Sequence, residues 1–206
     1  MSEVILKKYD VLGSTPSDIF EHLPTLRKYA SECESVIEMG VRKCVSTWAL
    51  ALGLLENGSS NKLLIMNDIK KCETEEIENA VKETELQIQT IWKNNLELEL
   101  ENDVDLTFID TWHVYGQLKR ELARFAPRTK KYIIMHDTEI DAIKGETLRN
   151  IHKYDPEEQS RASGIPVDEI LKGMSQAIDE FLSNNLDWVL HEKFTNNYGL
   201  TILKRV

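Results

Sequence analysis

Cysteine is scarce in this chain of 206 residues. Cys33, Cys44 and Cys72 are odd in number and form no Cys-x-x-Cys pair. That pattern argues against a zinc-ribbon or disulfide framework and reads as reduced thiols, so a cytoplasmic location is expected. Long hydrophobic runs are missing as well: none approaches the roughly 20 residues of a membrane span, and the amino terminus shows no signal-peptide pattern. Positive charge is in deficit, with a formal net charge of −10. Affinity for a phosphate backbone needs clustered Lys and Arg, so no nucleic-acid partner and no membrane partner are expected. Oligomeric state is not encoded in any feature of the sequence. The length suits one complete α/β domain spanning 1–206, with none left for a second.

What is present is alternation. Runs of β character fall at 36–39, 62–67, 86–92, 104–109 and 131–136, separated by helical patterns. This spacing predicts a mainly parallel sheet covered on both faces. A helix is expected from about 46 to 57, with Ser46 as its N-cap and Gly58 as its stop. Residues 1–35 read as a helical lead-in, with Pro16 and Pro24 near first turns. The apolar stripe Val167, Ile170, Leu171, Met174, Ile178, Phe181 and Leu182 predicts one continuous core-facing helix. Two final strands, 187–194 and 199–206, are joined by Thr195-Asn196-Asn197-Tyr198-Gly199, short enough for an antiparallel hairpin. Residues 138–165 are rich in charge and hang off the end of the fifth strand. They are either a lid or substrate loop, or a solvated insertion.

The first strand ends in Glu38-Met39-Gly40 and passes straight into a helix. In an open α/β sheet the carboxyl ends of the strands hold the ligand where the strand order reverses. A glycine there lets a ligand lie against the main chain. A dinucleotide site wants G-x-G-x-x-G, but here Arg42 stands at the second glycine position and Cys44 follows two residues later, with no further glycine in the loop. No P-loop Gly-Lys-Ser/Thr occurs. Nicotinamide and nucleoside triphosphates are disfavoured. S-adenosylmethionine carries no phosphate, and its ammonium and sulfonium favour nearby carboxylates. The second strand ends in Asp68, 30 residues after Glu38, where a carboxylate can accept from both ribose hydroxyls. Arg42 is either solvated or holds a cofactor carboxylate.

The fourth strand closes with Asp110, followed by Trp112 and His113, and the fifth with His136-Asp137. Neighbouring strands would bring Asp110, His136 and Asp137 onto one ion, with oxygen donors suiting magnesium and the imidazole better suiting manganese. Histidine titrates near neutrality, so His113 can take a proton at working pH. His22, His152 and His191 have no evident partners and read as structural.

Glu38-x-Gly40-x-Arg42 with Ser46-Thr47, Phe108-Ile109-Asp110-x-x-His113 and Ile134-Met135-His136-Asp137-Thr138 together resemble class I S-adenosylmethionine-dependent methyltransferases. The likeness runs from about residue 30 to the carboxyl terminus and is nearest to the metal-assisted small-molecule and sugar O-methyltransferases. It implies a Rossmann-like, mainly parallel seven-stranded sheet with a carboxyl-terminal antiparallel pair. It also implies that Glu38, Gly40 and Ser46 hold the methionine part of the cofactor, that Asp68 holds the ribose and that Trp112 lies near the adenine. The acceptor implied is a hydroxyl on a sugar or other small polyol, free or within a glycan. The site would then use His113 as base and a cation on Asp110 and Asp137, with His136. Relatives often carry two acids where this chain has His136-Asp137. Two rivals remain at this stage: a non-catalytic cofactor-binding module in a glycan-processing assembly, and an α/β oxidoreductase that the missing glycines count against.

Overall fold

The computed structural model describes residues 3–206; the first two residues of the expected lead-in lie outside them. The lead-in comprises α1 (Glu3–Gly13), a short 3-10 turn at Phe20–His22 and α2 (Leu23–Ser31). There follow β1 (Ser35–Met39), α3 (Val45–Glu56), β2 (Lys62–Asp68), α4 (Glu75–Val81) and β3 (Leu86–Trp92). The second half carries β4 (Val104–Ile109), α5 (Tyr115–Phe125), β5 (Thr129–His136), α6 (Glu146–Arg149), α7 (Pro156–Ser163), α8 (Val167–Ile170), α9 (Met174–Asn184), β6 (Trp188–Phe194) and β7 (Leu200–Arg205).

The seven strands form one sheet in the order β3-β2-β1-β4-β5-β7-β6. The first five are parallel, and β7 runs antiparallel to both β5 and β6. Parallel strands covered on both faces read as continuous apolar runs, and β4 is buried at all six positions. One face is covered by α2 and α3 through Leu26, Trp48, Leu50 and Leu54. The other is covered by α5 and α9 through Leu118, Leu122, Phe125 and Phe181. The α3 sequence is apolar around its whole circumference, and every residue from Ser46 to Leu54 is buried, as expected of a helix sandwiched between sheet and neighbouring helix.

Strand order reverses between β1 and β4, whose residues pair Glu38 with Phe108 and Met39 with Ile109. The tips there are joined by backbone hydrogen bonds, Asp110 N–H to the Met39 carbonyl and Gly40 N–H to the Asn67 carbonyl, each 2.9 Å. Three adjacent carboxyl ends therefore open onto a single crevice.

Two local expectations are corrected. The stripe from 167 to 182 is broken into α8 and α9, because the backbone at 171–173 bonds outward. Leu171 and Lys172 carbonyls accept from Gly145 and Tyr115, and Gly173 N–H donates to Ile143. Those tertiary bonds outweigh the helical periodicity. Helix α3 begins at Val45, and Cys44, in the left-handed region at φ 60°, occupies the cap position. The Ser46 hydroxyl donates to Glu38 instead of capping the helix. At the other end the helix stops at Glu56, with Asn57 as its C-cap.

Candidate active site

Gly40 is required by the sheet itself. Its φ is +96°, and a Cβ there would sit 1.8 Å from the Asp110 carbonyl oxygen. Only glycine permits both the positive φ and that approach. The same close packing puts the end of β1 against the end of β4, so Gly40 and Asp110 line one cavity of about 530 Å³. Arg42, Asp68 and Trp112 line it too, with Ile69, Asn94, Asn95, Thr111 and Gln117. Segment 138–165 folds into α6 and α7 and contributes Glu146, Tyr154, Gln159, Ala162 and Ser163 to the opposite wall. Much of the segment is also exposed, and no residue of α7 is buried. A second hollow of about 630 Å³ lies between α5 and α9. It contains none of the strand-tip carboxylates.

The loop after Gly40 is held by Asp68, whose Oδ2 accepts from the Val41 and Arg42 amides at 3.1 Å each. Oδ1 accepts from the Lys70 amide at 3.1 Å. A carboxylate offers about four acceptor sites, so capacity remains for a ligand hydroxyl. The Arg42 guanidinium pairs with Asp18 of the lead-in at 2.8 Å. Glu38 and Ser46 lie behind the cavity wall. The Glu38 carboxylate is fully buried and accepts from the hydroxyls of Ser46 and Thr47. Burial pushes its pKa up to about 8, against the pull of those two donors. Glu38 thus ties β1 to the first turn of α3.

Beside the cavity, four groups form a tight cluster. His113 Nε2 lies 3.1 Å from Asp110 Oδ1, and its Nδ1 lies 2.9 Å from Asp137 Oδ2. Asp110 Oδ1 is also 3.4 Å from His136 Nδ1. Burial disfavours charge on His113, but the hydrogen bonds to Asp110 and Asp137 outweigh it and hold its pKa well above the ordinary histidine value. Burial likewise opposes ionisation of Asp110, yet His113 and then His136 keep its carboxyl far below the usual carboxylate range. In this arrangement His113 is an imidazolium clamped between two carboxylates. Asp137 sits at φ 58°, a left-handed conformation uncommon for a residue with a side chain. Its Oδ1 is buried without a hydrogen-bond partner. Ligand atoms of Asp110, His113 and Asp137 lie within 4.8 Å of one another. An orphaned carboxylate oxygen in an oxygen-rich set with imidazole suits a hard or borderline divalent cation.

Sequence reasoning did not single out the groups that surround this cluster. Asp141, fully buried, lies 3.6 Å from His113 Nδ1 and is paired bidentately with Arg149 at 2.6 and 2.8 Å. His22 packs edge-on against His136 with ring centroids 5.6 Å apart. It also contacts the Asn196 carbonyl at 3.0 Å. Asn197 presents its carbonyl to His136 Nε2 at 3.2 Å. His22 and His136 are 114 positions apart in the chain, and no spacing signal links them.

The fold is that of class I S-adenosylmethionine-dependent O-methyltransferases. An O-methyltransferase from Bacillus cereus, solved with S-adenosylhomocysteine, is similar over 100% of this chain and 92% of its own, at TM-score 0.61 and 13% identity. TomG, an O-methyltransferase from Streptomyces achromogenes involved in tomaymycin synthesis and solved with S-adenosylmethionine, is similar over 100% and 91%, at TM-score 0.61 and 10% identity. The methyltransferase PaMTH1 of Podospora anserina, solved with S-adenosylhomocysteine, is similar over 100% and 89%, at TM-score 0.53 and 12% identity. No protein-family model matches the chain, and no curated protein matches it in sequence. No helix among the described residues is long and apolar enough to cross a membrane.

Proposed function

We propose that this protein is an S-adenosylmethionine-dependent O-methyltransferase acting on a hydroxyl of a sugar or other small polyol, with a divalent cation held by Asp110 and Asp137. One observation carries the reading: the cavity bounded by Gly40, Asp68 and Trp112 shares Asp110 with the carboxylate–imidazole cluster. A methyl donor and an ionisable acceptor therefore have adjoining places. The bound cofactor supplies an electrophilic methyl group, and the cation lowers the pKa of a hydroxyl oxygen.

The protein's own groups account for the rest. Gly40 leaves the main chain bare where the cofactor's amino-acid end would lie. Asp68 retains acceptor capacity for a ribose hydroxyl, and Trp112 offers an aromatic surface. Arg42, already paired with Asp18, lines the cavity beside them. Asp110, Asp137, His113 and His136 form the donor set around the acceptor. His113 is the group placed to take the hydroxyl proton, and proton removal of this kind contributes about 10²–10⁴-fold to rate. Its clamped imidazolium must first lose one ring proton before it can act as a base, a loss that a cation drawing on the Asp110 and Asp137 carboxylates would favour. Residues 138–165 wall the cavity and would limit water entry as a lid.

Calorimetry with S-adenosylmethionine, S-adenosylhomocysteine and NAD separates the possibilities. Binding of the first two alone is expected; binding of NAD, or of none, would overturn the proposal. Methyl transfer to a panel of deoxy-sugars should lose activity when the modified hydroxyl is missing and should fall on chelation. Indifference to chelator would remove the cation.

A further inference from the structure

A second buried carboxylate lies under the same cavity and has no part in the chemistry above. Glu121 on α5 is completely shielded from solvent. Its Oε1 accepts from three side chains: Thr111 Oγ1 at 2.6 Å, Gln117 Nε2 at 2.8 Å and Asn95 Nδ2. Its Oε2 has no partner. Thr111, Asn95 and Gln117 all line the cavity.

This network admits one orientation for each amide. An ionised carboxylate only accepts, and a protonated one with its hydrogen on Oε2 still accepts through Oε1. Gln117 Nε2 donates both to Glu121 and to Asn95 Oδ1, the latter at 3.1 Å. Turning the Gln117 amide over would set its oxygen against two other oxygens. Both of its N–H groups are therefore committed to the protein, and the side-chain carbonyl is the polar atom left for a ligand. The neighbouring Asn94 has the opposite bias, because its Oδ1 accepts from the Leu96 amide at 3.0 Å and leaves its N–H groups available. Asn67 also commits its amide nitrogen, to the Ile91 and Lys93 carbonyls. At 1% exposure, however, it forms the cavity floor and offers a ligand little surface.

We infer that Gln117 is a specificity-determining residue that accepts a hydrogen bond from the exocyclic amino group of the cofactor's nucleobase, and that Glu121 is the positioning residue that holds the amide that way round. The inference rests on the methyltransferase reading. Trp112, which lines the same cavity, supplies apolar surface for a planar base, and Gln117 supplies a hydrogen-bond acceptor that distinguishes an aminopurine from its deaminated form. A carbonyl in the amino position would face the Gln117 oxygen, leaving both acceptors without a proton.

The test compares S-adenosylhomocysteine with its deaminated analogue, S-inosylhomocysteine, by calorimetry. Wild type should prefer the amino compound by about tenfold or more. Gln117→Leu should weaken the amino compound by about tenfold and leave the deaminated one within about threefold. Glu121→Gln keeps the shape but adds donors, so the Gln117 amide can turn over and the preference should narrow while thermal unfolding stays cooperative. Equal weakening of both ligands by Gln117→Leu, or an unchanged preference, would overturn the inference and leave the methyltransferase reading intact. Failure of the wild type to bind S-adenosylhomocysteine at all would overturn that reading, and this inference with it.

Discussion

Replacing Glu38 by glutamine should change how stability depends on pH, in a direction fixed by burial. In the folded chain the Glu38 carboxyl is held at about 8 against an ordinary value of 4.5. Its folded pKa is raised, so the native state binds the extra proton between those values. The stability it contributes is complete below about 4.5 and is lost as pH rises toward about 8. The slope is about 1.4 kcal/mol per pH unit. Between about pH 5.5 and about pH 8 the wild type should therefore lose on the order of 3 kcal/mol from this group. Glu38→Gln retains the shape and an acceptor for Ser46 or Thr47, and removes the titration. Urea unfolding of both proteins across that window isolates the effect, because other titrating groups are common to the two and cancel in the difference. The variant should gain on the wild type steadily with pH. Parallel stability curves would show that Glu38 is ionised in the fold and that its burial has been misread.

Three further outcomes follow from the site. Gly40→Ala should cost about 2 kcal/mol or more, from a positive φ and a Cβ driven into the Asp110 carbonyl, and should abolish S-adenosylhomocysteine binding; a cost near zero in a urea titration would contradict the packing described. His113→Ala should lower the rate of methyl transfer about 100-fold or more while S-adenosylhomocysteine binds within a few-fold of wild type; full activity would remove it as the base. Arg149→Ala leaves the buried Asp141 carboxylate without its bidentate partner, and should cost about 2–4 kcal/mol. It should also speed proteolysis within 146–163 and raise KM for the acceptor more than it changes kcat.

The strands were legible because parallel, doubly covered β-structure writes itself as short apolar runs. β3 and β4 occupy the expected residues, and the hairpin of β6 and β7 falls where Asn196-Asn197-Tyr198-Gly199 turns the chain. The pairing of β4 with β5 was also implied, since a doubly wound order makes them neighbours. The break between α8 and α9 was not legible: its cause is a set of backbone bonds to residues 141–145 and Tyr115, and backbone groups leave no trace in composition. Strand-tip residues such as Gly40, Asp68 and Asp110 could be found from position alone. The orientation of Glu38 could not. From sequence its carboxylate suits a ligand, whereas in the fold Ser46 and Thr47 take up both oxygens. Asp141 belongs to a loop and His22 to a short 3-10 turn, neither marked by a periodicity, and only the folded chain brings them to His113 and His136. The Glu121 network is hidden for the opposite reason, because Glu121 sits in a helix whose apolar stripe draws attention to Leu118 and Leu122.

A crystal structure with S-adenosylhomocysteine would examine the shared-crevice geometry directly. The ligand should lie between Gly40, Asp68 and Trp112 with its sulfur turned toward Asp110 and the His113 imidazole. Density for the ligand in the hollow between α5 and α9, or a sulfur turned away from Asp110, would contradict it.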